Sequence, residues 1–236
     1  MRASTCLKIS ALLTCGWLVL CGSPLWAETQ NSTEEAALHL LEEAGRHSAD
    51  IQSLSANFEQ RKNMAVLALP LVSQGYFCLS HVVSDKIQPR KADKLLWAYT
   101  TPLSSGFVYE NGRGNLWDGS PSNKRPANER EGAVITAIIQ HILDWIHIDA
   151  TALRAVYKLE RPQAEEPVLV LFPRRRSFFS KLEVVFASDL RTVRQLTFVE
   201  QNGDSVHISF SHTLINEALP AQCEGLKTAL PDNTGL

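Results

Sequence analysis

The sequence is poor in the devices that catalysis and cofactor binding need. It has no Gly-x-Ser-x-Gly nucleophile turn, no His-Glu-x-x-His zinc helix and no Cys-x-x-Cys pair. Its seven histidines stand singly. His207 and His212, five apart on an extended segment, point to opposite faces. Gly112-Arg113-Gly114 sits inside a hairpin pattern with no helix behind it, so it lacks the context of a phosphate loop. The chain is therefore expected to be a non-enzyme with no cofactor and no metal. Lysine and arginine number 23 against 25 aspartates and glutamates, a net charge of −2. Without an excess of basic side chains to neutralise phosphates, nucleic acid is excluded as a partner.

A long apolar run is also missing. The best stretch, Ile9 to Leu20, is about a dozen residues, short of the roughly 20 that cross a bilayer as a helix. It follows the basic residues Arg2 and Lys8 and precedes Gly22-Ser23-Pro24-Leu25-Trp26-Ala27. That order is the one found in a secretory signal peptide. Residues 1–27 are accordingly expected to be removed after Ala27, leaving a periplasmic protein. A rival reading takes Leu18-Val19-Leu20-Cys21 as a half-formed lipobox, with the protein lipid-anchored through Cys21. Leu20 occupies the place where a small residue is wanted, which favours soluble export.

Of five cysteines, Cys6, Cys15 and Cys21 leave with the leader. Cys78 and Cys223 remain. They are either one disulfide of an oxidising compartment or two small buried apolar side chains.

Beyond the leader, the hydrophobic pattern changes period once and then repeats. Ser32-Thr33-Glu34-Glu35 reads as a capping box opening a helix from about Thr33 to Ala49, with Leu38, Leu41 and Ala44 inward. From Leu54 the pattern alternates, Leu54, Ala56 and Phe58 against Ser53, Ser55, Asn57 and Glu59. Further strands are predicted at Ser73 to Ser80, Leu95 to Thr100, Phe107 to Glu110, Asn115 to Trp117, Leu182 to Phe186, Val193 to Glu200 and Ser205 to Ser211. Asn111-Gly112 and Asn202-Gly203 mark hairpin turns. Gly132 to Ile148 interrupts the strands. It places Ile135, Ile138, Ile139, Ile142, Trp145 and Ile146 on one helical face, either a core helix or a lid. The fold class is thus α+β, mostly β, in one domain over residues 28–224, with 225–236 expected to be a disordered tail.

The strands carry a high density of aromatic side chains: Phe58, Tyr76, Trp97, Tyr99 and Phe107 foremost. Each can bury about 150–250 Å². Periodicity fits a filled core and a lined cavity equally. Arg174-Arg175-Arg176 is a basic run read as a solvated turn, with contact to acidic lipid headgroups or a partner protein as its functional alternative.

The order of these motifs resembles a known family. Leu54-Ser55-Ala56-Asn57-Phe58-Glu59-Gln60 is followed by Ser73-Gln74-Gly75-Tyr76. Next come Lys91-Ala92-Asp93-Lys94-Leu95-Leu96-Trp97-Ala98-Tyr99-Thr100-Thr101-Pro102, then Asn111-Gly112 and Leu116-Trp117. This is similar to the LolA family of periplasmic carriers of outer-membrane lipoproteins. The resemblance spans most of the chain beyond the leader.

It implies an unclosed antiparallel β-barrel, a strongly curved sheet with helices covering its concave face. Acyl chains of lipoproteins, or another lipid, would bind Phe58, Tyr76, Trp97, Tyr99 and Phe107 beneath a lid bearing Ile138, Ile142 and Trp145. The implied partners are an inner-membrane releasing complex or exporter and an outer-membrane acceptor, with the carrier a monomer. Where the family has Arg-Pro six residues before the Trp, this chain has Lys91-Ala92, so the lid latch would fall to Lys91. The apolar stretch from Lys62 to Ser73 looks like an insertion and points to a divergent LolA-like branch serving a lipid exporter.

Intact-mass measurement of the exported protein is expected to give a chain starting at Glu28. A diacylated Cys21 would instead establish the anchored form.

Overall fold

A computed structural model describes residues 25–81, 93–110, 113–128 and 148–226. The leader up to residue 24, Lys91, Ala92, Asn111-Gly112, most of the amphipathic segment (129–147) and the tail from 227 lie outside the described residues.

The chain opens with helix α1 (Leu25–Ser48). It begins eight residues before the expected start at Thr33, because Leu25 to Gln30 contains good helix formers and no breaker. Ser32 therefore lies inside the helix, and the Ser-Thr-Glu-Glu sequence is not a cap. Ala37, Leu40, Leu41 and Ala44 form the buried stripe, with Leu38 packed beside it.

Eleven strands follow among the described residues. The first six are β1 (Ser53–Asn63), β2 (Leu71–His81), β3 (Asp93–Thr101), β4 (Ser105–Glu110), β5 (Arg113–Asp118) and the two-residue β6 (Arg125–Pro126). A short helix, α2 (Ala150–Val156), is capped by Asp149, whose carboxylate accepts the Ala152 N–H at 2.9 Å. Then come β7 (Tyr157–Glu160), β8 (Val168–Pro173), β9 (Phe179–Phe186), β10 (Val193–Glu200) and β11 (Ser205–Ile215), ending in a 3₁₀ helix (Ala221–Leu226).

All of the strands form one antiparallel sheet in the order β6-β5-β4-β3-β2-β1-β11-β10-β9-β8-β7. Two meanders, β1 to β6 and β7 to β11, are joined where the first strand pairs with the last. β6 and β7 are the outer strands, and the sheet is not closed into a barrel.

Several predicted strands recur with longer ends. Glu110 pairs with Arg113, and the first Asn-Gly pair between them lies outside the described residues. In the second, Gly203 takes φ +89, and its N–H donates to the Glu200 carbonyl. The sequence reading missed α2, β7 and β8. β8 runs Val-Leu-Val-Leu-Phe without polar alternation because consecutive residues Leu169, Val170 and Leu171 are all buried.

The sheet has two unequal faces. The front carries the main core, from Leu54, Ala56 and Phe58 through Leu79 and Leu95 to Leu182, Val184 and Leu171. α1 packs on this face near β7 and α2. On the back, Cys78, Leu96, Ala98, Val108 and Trp117 form a small cluster closed by the 3₁₀ helix through Cys223. Cys78 and Cys223 are joined as a disulfide, with Cα atoms 5.9 Å apart.

Polar ties hold the corner between α1 and β1. Asn216, at φ +55 after β11, accepts the N–H groups of Gln52 and Ser53 on its side-chain oxygen at 2.7 and 3.2 Å. Its amide donates to the Asp50 carbonyl at 2.8 Å. Arg191, from the β9–β10 turn, reaches both Asp50 carboxylate oxygens at 2.8 Å.

The disulfide spans 145 residues, and closing so long a loop contributes on the order of 5 kcal/mol in the chain-entropy account. Reduction, or the pair Cys78→Ala and Cys223→Ser, is expected to lower the free energy of unfolding by about 5 kcal/mol, read as a lower urea midpoint. An unchanged midpoint would show that the 3₁₀ helix stays docked by packing alone.

Candidate functional site

The front face concentrates its aromatic side chains where β11, β1, β2 and β3 lie side by side. Phe58 is the centre. In register it lies between Phe210 on β11 and Gly75 on β2. A Cβ at Gly75 would overlap the Ala98 carbonyl and come within 2.7 Å of the Phe58 ring. The missing side chain lets Phe58 lie across β2 and stack on Trp97 of β3, with ring centroids 4.4 Å apart and planes at 25°. Tyr99 meets Phe58 edge-on at 5.3 Å. Phe77 stacks on Trp97 at 5.9 Å and meets Phe210 edge-on at 5.5 Å. Such pairs each contribute about 0.5–1.5 kcal/mol beyond area burial. Phe107 extends the patch, pairing with Trp97 across β3 and β4.

The patch grades outward from dry to half-open. Phe58, Phe77, Trp97 and Phe107 are buried, whereas Tyr99, Tyr109, Leu116 and Phe210 are only partly so. Tyr99 supplies a polar point, its hydroxyl donating to the Gln60 side-chain oxygen at 3.0 Å. Burial pushes its phenol above the ordinary value. A second aromatic group, Tyr157, Phe179 and Phe198, continues the face under β7, β9 and β10. Among the described residues no cluster of three or more His, Cys, Asp or Glu is disposed to hold a metal ion.

Of the residues singled out from sequence, Phe58, Trp97, Tyr99 and Phe107 meet in this one patch. Tyr76 does not. It stands on the back, packed against the cluster of Cys78 and Leu96. The run Tyr76-Phe77-Cys78-Leu79 is apolar on both faces, so no polar neighbour marks its register, and the ladder shifts between Gln74 and Gly75. Phe77 takes the place expected for Tyr76.

Phe210 was also missed as a site residue, although Val206, Ile208 and Phe210 do share the front. Ile138, Ile142, Trp145 and Lys91 lie outside the described residues. The end of the amphipathic segment is visible, and Ile148 packs against Gly45 of α1, its carbonyl 3.0 Å from where a Gly45 Cβ would stand. A separate open hollow of about 640 Å³ lies between α1 and the loop Arg161 to Glu165, away from the aromatic patch.

No family model matches the chain, and no curated protein matches it. Among solved structures it is similar to the Pseudomonas aeruginosa MucA/MucB complex, at 13% identity and TM-score 0.46, over 80% of this chain and 60% of that one. It is also similar to a LolA superfamily protein from Nitrosomonas europaea, at 12% identity and TM-score 0.36, over 80% and 96%. A third likeness is to the Mycobacterium tuberculosis lipoprotein LppX, at 9% identity and TM-score 0.45, over 80% and 99%. The chain spans about 60% of the length of the chain it matches in the MucA/MucB complex.

Gly75→Ala is expected to lower the free energy of unfolding by about 1–3 kcal/mol, since the added methyl forces either Phe58 or β3 to move. Urea denaturation measures it, and a variant as stable as the parent would show the stack to be loosely held.

Proposed function

We propose that this chain is a periplasmic carrier that takes the acyl chains of lipoproteins on its front face and moves them from the inner to the outer membrane. The observation that carries the reading is the contiguous aromatic patch of Phe58, Phe77, Trp97, Tyr99 and Phe210, dry at its centre and half-open at its margin. In this reading the sheet curls around that patch into an unclosed, barrel-like cup. The amphipathic segment from Gly132 to Ile148 would be its lid. Ile138, Ile142 and Trp145 would face the cargo, and Lys91 would latch the lid.

Burial energetics make such a carrier self-sufficient. Each methylene removed from water contributes about 0.8 kcal/mol, so roughly ten of them reach a micromolar hold. No cofactor, metal or catalytic step is required. Cargo would be received from an inner-membrane releasing complex and passed to an outer-membrane acceptor. The leader-like N-terminus and the Cys78–Cys223 disulfide support a periplasmic address.

A second reading within the carrier class is transfer of another lipid for a membrane exporter. It is favoured by Lys91-Ala92 in place of Arg-Pro and by the apolar stretch between Lys62 and Ser73.

Mass spectrometry of lipid co-purifying with the native protein tests the proposal, and lipoprotein acyl chains are expected. A different lipid supports the exporter branch, whereas absence of lipid together with failure to bind a fluorescent fatty acid leaves a non-catalytic interaction module. Ile142→Glu is expected to cut lipid transfer at least tenfold while moving the urea midpoint little. Proportionate loss of both would make the segment ordinary core.

A further inference from the structure

Every large apolar side chain that is exposed among the described residues lies at one end of the sheet. Five of the eight lie between Val66 and Val72, on the β1–β2 tip and the first residues of β2, with Val66 82% and Leu69 78% exposed. No charged side chain occurs from Met64 to Val72. Thr101 pairs with Gln74, which brings Leu103, 77% exposed in the β3–β4 turn, to the same end. Phe179 pairs with Glu200, so the exposed Phe178 lies there too. Val156 joins them, its carbonyl accepting the Arg174 N–H. The opposite end, with the β7–β8 and β9–β10 connections and the α1–β1 link, exposes none among the described residues.

The β1–β2 tip is held in shape. The buried Asp204 accepts the Ala65 N–H at 2.9 Å, and the Leu67 N–H donates to the Met64 carbonyl at 2.9 Å. That end is also basic. Arg175 and Arg176 are exposed just before Ser177-Phe178, while Arg174 is turned inward to Glu34 at 3.6 Å and to the Tyr157 carbonyl at 3.0 Å. Two nearby carboxylates are engaged within the protein, Glu200 by Lys62 at 2.9 Å and Asp204 by Ala65; Asp118 is exposed.

We propose that this end docks the protein on a membrane surface containing anionic phospholipid. Val66 and Leu69 would insert below the headgroups, Leu103 and Phe178 would rest at their level, and Arg175 and Arg176 would meet the phosphates. Five of the exposed apolar side chains stand on the β1–β2 tip and the start of β2, and Leu103, Val156 and Phe178 on three further segments at the same end. Apolar projections beside arginines match the layered chemistry of a bilayer interface. The inference goes beyond acyl-chain carriage and holds whether or not the front face binds a lipid.

The test is flotation of the exported protein with two vesicle types, phosphatidylethanolamine with phosphatidylglycerol and pure phosphatidylcholine. The wild type is expected to float with the anionic vesicles, less so at high salt. The double variant Val66→Glu, Leu69→Glu should lose at least tenfold in partitioning yet still take up a fluorescent fatty acid. Arg175→Gln with Arg176→Gln should lose about 30-fold on anionic vesicles, from about 1 kcal/mol per arginine.

Three outcomes overturn the proposal. One is no flotation of the wild type, and another is flotation that the glutamate variant retains. The third is a wild-type dimer in sedimentation that the glutamate variant dissolves while vesicle binding stays absent, which would assign the end to a second copy. Loss of fatty-acid uptake in the wild type, with flotation intact, would count against the carrier reading alone.

Discussion

The architecture depends on one ladder, the pairing of β1 with β11. Each meander pairs strands that are neighbours in sequence. Nothing local brings Phe58 beside Phe210; that requires a strand near the start of the chain to find one near its end. Once made, the ladder turns two partial sheets into a single front face and gives α1 a surface broad enough to bury its stripe. The Asn216 clamp and the Arg191–Asp50 pair sit at the end of this ladder, fixing the angle at which α1 enters. The exposed ion pair adds little energy, whereas Asn216 satisfies three backbone groups at a corner where strand pairing stops.

The front and back faces are coupled through small residues. Gly75 leaves room for Phe58 on the front, and Gly106 does the same for Trp117 on the back, where a Cβ would intrude on the indole ring. Large rings can lie across a neighbouring strand only where that strand gives up its side chain. The aromatic patch and the disulfide-bearing cluster therefore share β2 and β3 as a common wall, with Phe77 and Trp97 on one side and Cys78 and Leu96 on the other. A disturbance of one face is felt by the other through the thickness of a single backbone.

How much of this was legible in the sequence follows from how each element is solvated. Strands with one wet face announced themselves by alternation, as in Leu54, Ala56 and Phe58, and the Asn-Gly turns located their hairpins. Trp97, Tyr99 and Phe107 share the front although both faces of β3 and β4 are buried around Trp97 and Phe107. β8 was invisible because both its faces are covered, and α2 is too short for a helical period to emerge. Tyr76 was misplaced for Phe77 because an apolar run on a central strand carries no phase. The front patch was thus readable residue by residue except where burial erased the contrast between sides. The apolar end could not be seen at all, since only the strand order brings the β1–β2 tip, Leu103 and Phe178 to one edge.

The Cys78–Cys223 bond has a bearing on how the chain matures. Cys78 and Cys223 are the two cysteines among the described residues, and each has the other as its partner. As the chain is synthesised from its N-terminus, Cys78 emerges 145 residues ahead of Cys223 and waits as a lone thiol. The hazard in that interval is a bond to another molecule rather than mispairing within this one. The 3₁₀ helix at the end of the chain is therefore tied to β2 only after the rest of the sheet has been made.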